Sequence, residues 1–303
     1  MKANLLSSTI FRVISYHSCK VIARDHKLFP EVRLETRTKC NGRCDFCPAS
    51  VMHETRPDTW MSEECYKKII DELADMNYQG VVKLYINNEP LMDNRMVDFL
   101  AYLKSKELDL ACVCIQTNGI LLTPELGEGL FNNGLTWLIV DDYFYSDELS
   151  LKKKEVVEHL QRSYPDKRIE LLLRSPHEVL RNRGGTAPNK RIAVEIRASC
   201  TRPFWQLNIT ANGDVGLCCW DFYVTDPLGN VNVNSLQEIW RNKKYTSLRR
   251  NLLRGDRTMY KLCKNCEFKG YHEPPKKYRK IYNRLSWFAQ SRLDKQIEGA
   301  VRK

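Results

Sequence analysis

The feature that most constrains this chain is an eight-residue stretch, Cys40-Asn41-Gly42-Arg43-Cys44-Asp45-Phe46-Cys47. Its three cysteines stand at C-x3-C-x2-C spacing and offer three thiolates. A structural zinc or an ordinary 4Fe–4S cluster takes four. A cluster bound here therefore keeps one iron without a protein ligand, and that iron can chelate a substrate or cofactor directly. The competing reading is a zinc knuckle whose fourth ligand lies elsewhere in the chain.

The chain has 303 residues with 43% hydrophobic and 28% charged content, enough for one large domain and a small one. No stretch approaches the roughly 18 consecutive apolar residues of a membrane span. Met1 to Ala23 mixes apolar residues with Arg12, His17 and Lys20 and reads poorly as a signal peptide. Twelve cysteines without an export signal fit a reducing compartment, so a cytoplasmic location is expected. The net charge of +11 is uneven: from Pro274 onward nine basic residues face two acidic ones, a local +7. Tyr278, Ile281, Tyr282, Leu285 and Phe288 follow helical spacing inside that tail. Such a basic amphipathic helix packs on its own protein or meets an anionic partner, whether membrane, nucleic acid or acidic protein.

Taken in order, Glu31 to Lys39 alternates as a strand that delivers Cys40 at its C-terminal end. Ser62 caps a helix with the stripe Tyr66, Ile69, Ile70 and Leu73. Strand 81–86 follows, then a helical stripe at Met96, Phe99, Leu100 and Leu103. Next come strand 111–116, helix 124–132, strand 136–141, helix 147–162 and strand 168–173. This alternation is the sequence form of a parallel α/β sheet, closed into a barrel or doubly wound. Asp141 and Asp142 end the fourth strand, where solvating a rim is favoured over meeting substrate.

Beyond a glycine-bearing stretch at Arg181 to Thr186 the pattern changes. A hairpin is expected from strands 205–209 and 215–219 with Asn212-Gly213 at its turn, then one helix from Ser235 through Leu252. Cys200, Cys218, Cys263 and Cys266 suffice to ligate a second 4Fe–4S cluster, with a zinc ribbon as the alternative. Cys219 is expected to face away from Cys218, because neighbours on a strand alternate faces, so only one of them would be a ligand and either could be; the matched spacing favours Cys218. Cys19, Cys65, Cys112 and Cys114 read as small buried residues, and the six histidines show no ligand spacing.

The cysteine triple with an aromatic before its last member resembles the signature of radical S-adenosylmethionine (SAM) enzymes. Residues 191–270 resemble the twitch half of the SPASM extension: Cys, a hairpin with Gly-Asp-Val, Cys, Gly-Asn-Val, a helix with Ile-Trp, then C-x2-C. Within the family, the chain resembles, over residues 31–268, dehydrogenases that oxidise an aminocyclitol.

The resemblance implies an α/β fold: a partial, open (β/α)6 barrel at 29–190, a small α+β auxiliary cluster domain at 191–270, an N-terminal extension at 1–28 and a basic helical tail at 271–303. It implies two 4Fe–4S clusters and SAM as cofactors. Cys40, Cys44 and Cys47 would hold the first cluster and Cys200, Cys218, Cys263 and Cys266 the second. Asn87-Asn88-Glu89-Pro90 stands where the family carries Gly-Gly-Glu-Pro, which leaves the tightness of that turn open. Asn88 and Glu89, with Thr117 and Asn118 of Thr117-Asn118-Gly119, become the expected SAM-binding residues. Asn182 to Gly185 matches an Asn-Arg-Gly-Gly stretch that points Arg183 at substrate.

The implied activity is oxidation of a secondary alcohol on a carbohydrate or aminocyclitol, fed by a low-potential donor such as flavodoxin or ferredoxin. The alternatives are an epimerase with Cys219 as hydrogen donor, a peptide maturase, and a zinc-dependent nucleic-acid-binding protein.

Overall fold

The computed structural model describes residues 16, 20, 28–51, 56–143, 146–175, 181–188 and 196–268. The expected N-terminal extension (1–28) and basic tail (271–303) lie essentially outside these residues.

A single seven-stranded sheet runs in the order β5-β4-β3-β2-β1-β6-β7. Its strands are β1 (Glu31–Leu34), β2 (Val81–Lys83), β3 (Cys112–Thr117), β4 (Trp137–Asp142), β5 (Arg168–Leu173), β6 (Gln206–Ile209) and β7 (Val215–Gly216). All neighbours pair in parallel except the β6–β7 hairpin. Between the strands run α1 (Glu63–Asp75), α2 (Met96–Lys104), α3 (Pro124–Asn132) and α4 (Asp147–Ser163). Ser62, Thr123 and Ser146 each cap a helix N-terminus by accepting a backbone N–H, which starts three helices where their sequences place them. The sheet does not close on itself, so the open α/β architecture is as expected.

Side chains alternate across this sheet with consequence. Val32, Leu34, Val82, Val113, Ile115, Leu138 and Val140 face the helices and merge with Tyr66, Ile69, Phe99 and Leu160 into the main core. The other face carries Glu31, Arg33, Lys83, Gln116 and Asp141 around a small apolar group of Tyr85, Cys114 and Ile139. Burial alone would raise the Glu31 carboxyl, but Arg33 and Lys83 (2.9 Å) hold it down at about 2. A lumen with paired charges at its floor leaves the strand C-termini free to build a site.

Three local expectations needed correction. The first strand stops at Leu34 because residues 36–38 leave the sheet to pair with 59–61, through Thr38 N–H to Thr59 O (3.0 Å) and Met61 N–H to Thr36 O (2.8 Å). The expected helix from Ser235 is two, α5 (Leu236–Arg241) and α6 (Lys243–Leu253). Asn242 stands extended between them, its side chain accepting from Tyr245 N–H and donating to Leu228 O, both at 2.7 Å. Asp141 and Asp142 do not solvate a rim. Asp142 is fully buried on Lys153 (2.9 Å), itself 1% exposed, and Asp141 turns into the lumen.

The second cysteine segment continues the core sheet, since β6 adds directly to the β1 edge. A second tie is the turn at Asn182–Thr186. Asn182 Nδ2 donates to Asn265 O (2.9 Å), and its backbone N–H donates to Glu267 (2.6 Å). Gly184 packs so closely that a Cβ there would sit 2.4 Å from Leu262 Cδ1.

Replacing Lys153 with Met should therefore destabilise the protein by about 3–5 kcal/mol in urea unfolding, since Asp142 stays buried without its cation. The double variant Lys153→Met/Asp142→Leu should recover most of that loss. Gly184→Ala should cost about 1–3 kcal/mol, from overpacking on Leu262 and a φ of +69° that a side chain resists. A wild-type melting temperature for Gly184→Ala would show that the turn is not held against Leu262.

Candidate functional site

The C-terminal ends of β1 to β4 surround a cavity of about 430 Å³. Cys40, Cys44 and Cys47 line it together with Asn88, Glu89, Asn118, Asp141, Arg183 and Cys219. The loop that carries the triple is braced from behind. Arg37 grips Asp58 through two hydrogen bonds (3.0 and 2.7 Å) and donates to Met92 O (2.8 Å), while Trp60 lies beneath the Arg37 guanidinium. Phe46, the aromatic before Cys47, is buried with its ring 5.5 Å from that of Tyr143.

Glu89 ties the strand ends into one unit. Its carboxylate accepts from Thr117 Oγ1 (2.6 Å), Asn118 N–H (2.7 Å) and Leu91 N–H (3.0 Å). Its own N–H donates to Lys39 O (3.0 Å), next to Cys40. Asn118 Nδ2 in turn donates to Asn41 within the cysteine loop (2.8 Å). A carboxylate offers about four acceptor positions, so three protein donors leave room for one more. Burial, opposed by these donors, pushes its carboxyl up to about 7.

Asn88 Nδ2 is buried with no hydrogen-bond partner among the described residues, an unmet donor in a residue that lines the cavity. Neither Asn87 nor Asn88 has positive φ, so the turn never needed glycine. Of the expected SAM-binding residues, Asn88, Glu89 and Asn118 reach the cavity. Thr117 does not line it and acts through Glu89.

The second set comes together as well. Cys200, Cys218, Cys263 and Cys266 line one narrow crevice with Arg202, Leu217, Leu252 and Leu262. Burial raises the Cys266 thiol to about 11, and Cys200 adds to that rise. Cys263 is raised by burial and then by Cys200 and Cys266, so these thiols lie within one another's field. Metal binding removes those protons and replaces repulsion with bonds. Among the described residues no three His, Cys, Asp or Glu side chains converge on a single ion. A cluster asks for a different arrangement, because each sulfur bonds its own iron. Both cysteine sets fit clusters on these grounds.

The two cavities meet at a pair of consecutive residues, Cys218 in the crevice and Cys219 in the larger cavity. Burial would raise the Cys219 thiol, but Arg202 and then Arg33 outweigh it and hold it below the ordinary value. Arg202 donates to Cys219 Sγ, and its guanidinium sits 4.0 Å from the Trp220 ring centroid and 4.4 Å from that of Phe268. Arg183 arrives on a strained turn, with φ of +47° followed by +69° and +89° at Gly184 and Gly185. It donates to Asn87 Oδ1 and to Cys47 Sγ (3.5 Å).

Gln116 and Arg174 were not foreseen in the site, and Asp141, for which the rim was favoured, joins them there, accepting from both Gln116 and Arg174 (2.6 Å). The strand parity carried that signal: Gln116 shares a face with Cys112 and Cys114, and Asp141 shares one with Trp137 and Ile139.

Comparison with known proteins agrees with this geometry. Residues 34–193 match the Radical SAM superfamily, and residues 200–267 match SPASM, an iron–sulfur cluster-binding domain. A relative from Niallia circulans, the S-adenosyl-L-methionine-dependent 2-deoxy-scyllo-inosamine dehydrogenase, is 30% identical over 241 residues, 79% of this chain and 93% of that protein. The crystal structure of BtrN in complex with AdoMet and 2-DOIA superposes with a TM-score of 0.70 at 29% identity, covering 80% of this chain and 94% of that one. Native anSMEcpe with bound AdoMet shares the fold, with a TM-score of 0.56 at 15% identity, covering 88% and 98%. The chain belongs to the radical SAM superfamily, as a radical SAM oxidoreductase that uses SAM, a 4Fe–4S cluster and an auxiliary iron–sulfur cluster.

Proposed function

We propose that the protein oxidises a secondary alcohol of a carbohydrate or aminocyclitol, with Cys40, Cys44 and Cys47 holding the first cluster and Cys200, Cys218, Cys263 and Cys266 the second. The observation that carries this reading is that consecutive residues, Cys218 and Cys219, line the crevice of the second cysteine set and the larger cavity of the first, so the two cavities abut across one segment. When bound, SAM and the clusters supply the 5′-deoxyadenosyl radical that takes hydrogen from the carbinol carbon and an acceptor for the second electron.

The chain's own residues supply position and charge. Glu89 offers its remaining acceptor site to the SAM ammonium, Asn88 Nδ2 and Asn118 stand beside it, and Thr117 fixes the Glu89 rotamer. Arg183 aims its guanidinium into the cavity, where it can hold the substrate hydroxyl oxygen. As a group charged at essentially all pH values, it stabilises a developing alkoxide better than it removes a proton.

The auxiliary domain is taken as residues 191–270 and the core as 29–190. A low-potential donor such as flavodoxin or ferredoxin fits the first cluster's need for an electron. The basic tail is assigned an anionic partner on its charge alone. A cytoplasmic location is proposed on the cysteine content, which suits a reducing compartment; among the described residues no helix is long and apolar enough to cross a membrane.

Epimerisation is the second reading, because Cys219 places a thiol in the substrate cavity. Purified and reconstituted without oxygen, the protein should hold about eight irons per chain. It should form one 5′-deoxyadenosine per ketone product, with no solvent deuterium at the reacting carbon. Colourless protein with stoichiometric zinc would remove both readings. Deuterium in a product of unchanged oxidation level, lost in Cys219→Ala, would establish the epimerase instead.

A pH titration tests Glu89 separately. With its carboxyl at about 7, the group is neutral below that pH and charged above it, so SAM affinity should rise as pH increases through 7. Glu89→Gln should weaken binding about tenfold or more at pH 8, the scale of one charge-assisted hydrogen bond, and abolish the pH dependence.

A further inference from the structure

One buried cation stands between the two cavities. Arg202, 7% exposed, lines the crevice of the second cysteine set, and one of its terminal nitrogens donates to Cys219 Sγ in the wall of the larger cavity. Its guanidinium packs on the rings of Phe268 and of Trp220, which lines both cavities. The negative charges that bear on it are those of Cys219, Cys218 and Cys200 when their protons are lost.

The Nε of Arg202 is the anomaly. That N–H is buried with no hydrogen-bond partner among the described residues, although buried donors in folded proteins are nearly always answered. Arg257, the other buried arginine of the crevice, differs. It donates to Ala198 O (2.9 Å), Ser199 O and Cys266 O (both 3.4 Å), and so holds backbone in place. Arg202 keeps a free donor in a crevice that it shares with four cysteines.

We propose that Arg202 sets the reduction potential of the auxiliary cluster: its Nε–H donates to a sulfur of the bound cluster, and its fixed positive charge favours the reduced state. Taking up one electron makes a cluster with four thiolate ligands more negative by one charge. A buried cation therefore stabilises the reduced cluster more than the oxidised one, and a hydrogen bond to sulfur acts in the same sense. Arginine suits this position because it stays charged at any working pH. Arg202 is then a positioning residue that acts through the cluster. The inference rests on the proposed second ligand set; the use made of the electron rests on the proposed oxidation.

The test is an anaerobic redox titration of the reconstituted holoenzyme, followed by electron paramagnetic resonance. Adding SAM tells the clusters apart, because only the first has an open iron for SAM to occupy. At a fixed potential, Arg202→Met should lower the ratio of reduced to oxidised auxiliary cluster about tenfold or more, a fall of about 59 mV for one electron. Arg202→Lys keeps the charge without the Nε donor and should lie between the two. The SAM-responsive cluster should not move in either variant. A second measurement uses wild-type protein with arginine isotope-labelled at its guanidinium nitrogens. There the reduced auxiliary cluster should show a hyperfine coupling to a labelled nitrogen, which Arg202→Lys should lose.

An unchanged auxiliary potential in Arg202→Met, an equal shift in both clusters, or the absence of a nitrogen coupling in the wild type would each overturn the inference. If Arg202→Met fails to hold its second cluster, the wild-type coupling and its loss in Arg202→Lys decide the matter. Wild-type protein that binds only about four irons would remove the second ligand set and this inference with it. About eight irons with an unmoved potential would remove the inference alone.

Discussion

The buried carboxylate of Glu89 is the contact on which the first site depends. It joins the end of β2 to the turn after β3 through Thr117 and Asn118, and its backbone reaches Lys39 just ahead of the cysteine loop. An ionised carboxylate in such a place is costly unless its lone pairs are filled. Three protein donors fill most of them, and a cationic ligand group can complete the set. A carboxylate with one acceptor position left for its ligand is well suited to report that the ligand has arrived.

The polar lumen is the second constraint. A parallel sheet covered on both faces by helices reads as nearly continuous apolar strands. This one instead carries Glu31, Arg33, Lys83, Gln116 and Asp141 on one face. Pairing among them keeps the charges affordable and concentrates arginine near the cavity. The same sheet then accepts β6 at the β1 edge, which fixes the segment that follows it against the core. Cys218 and Cys219 follow β7, and they line different cavities where the chain turns, Asp221 N–H donating to Cys218 O (2.9 Å).

Three consecutive positive φ angles stand where the first cysteine loop meets the second cysteine segment. Arg183, Gly184 and Gly185 all have positive φ, and among them only arginine carries a side chain that resists it. Asn182 and the close packing of Gly184 on Leu262 hold the turn in place. The result is a guanidinium delivered to Cys47 from a turn anchored beside Cys263 and Cys266.

Much of this was legible in the sequence. Cysteine spacing and the family resemblance singled out the two sets of cysteines that the fold gathers around two cavities, and capping residues with helical stripes located α1 to α4, because helix signals are local and their physics acts over a few residues. Turn chemistry placed the hairpin at Asn212-Gly213, where Gly213 has a φ of +85°. What tertiary structure decided were relations between distant segments. The first strand ends early because residues 59–61 compete for its hydrogen bonds, and one expected helix breaks because Asn242 finds Leu228. Asp141 joins a cavity while its neighbour Asp142 is sealed against Lys153, a choice set by strand parity and by a helix eleven residues on. The grouping of arginines at the cavity was equally out of reach, since Arg33, Arg174, Arg181 and Arg183 are scattered along the chain. Coulomb energy depends on separation in space, and only the fold sets that distance.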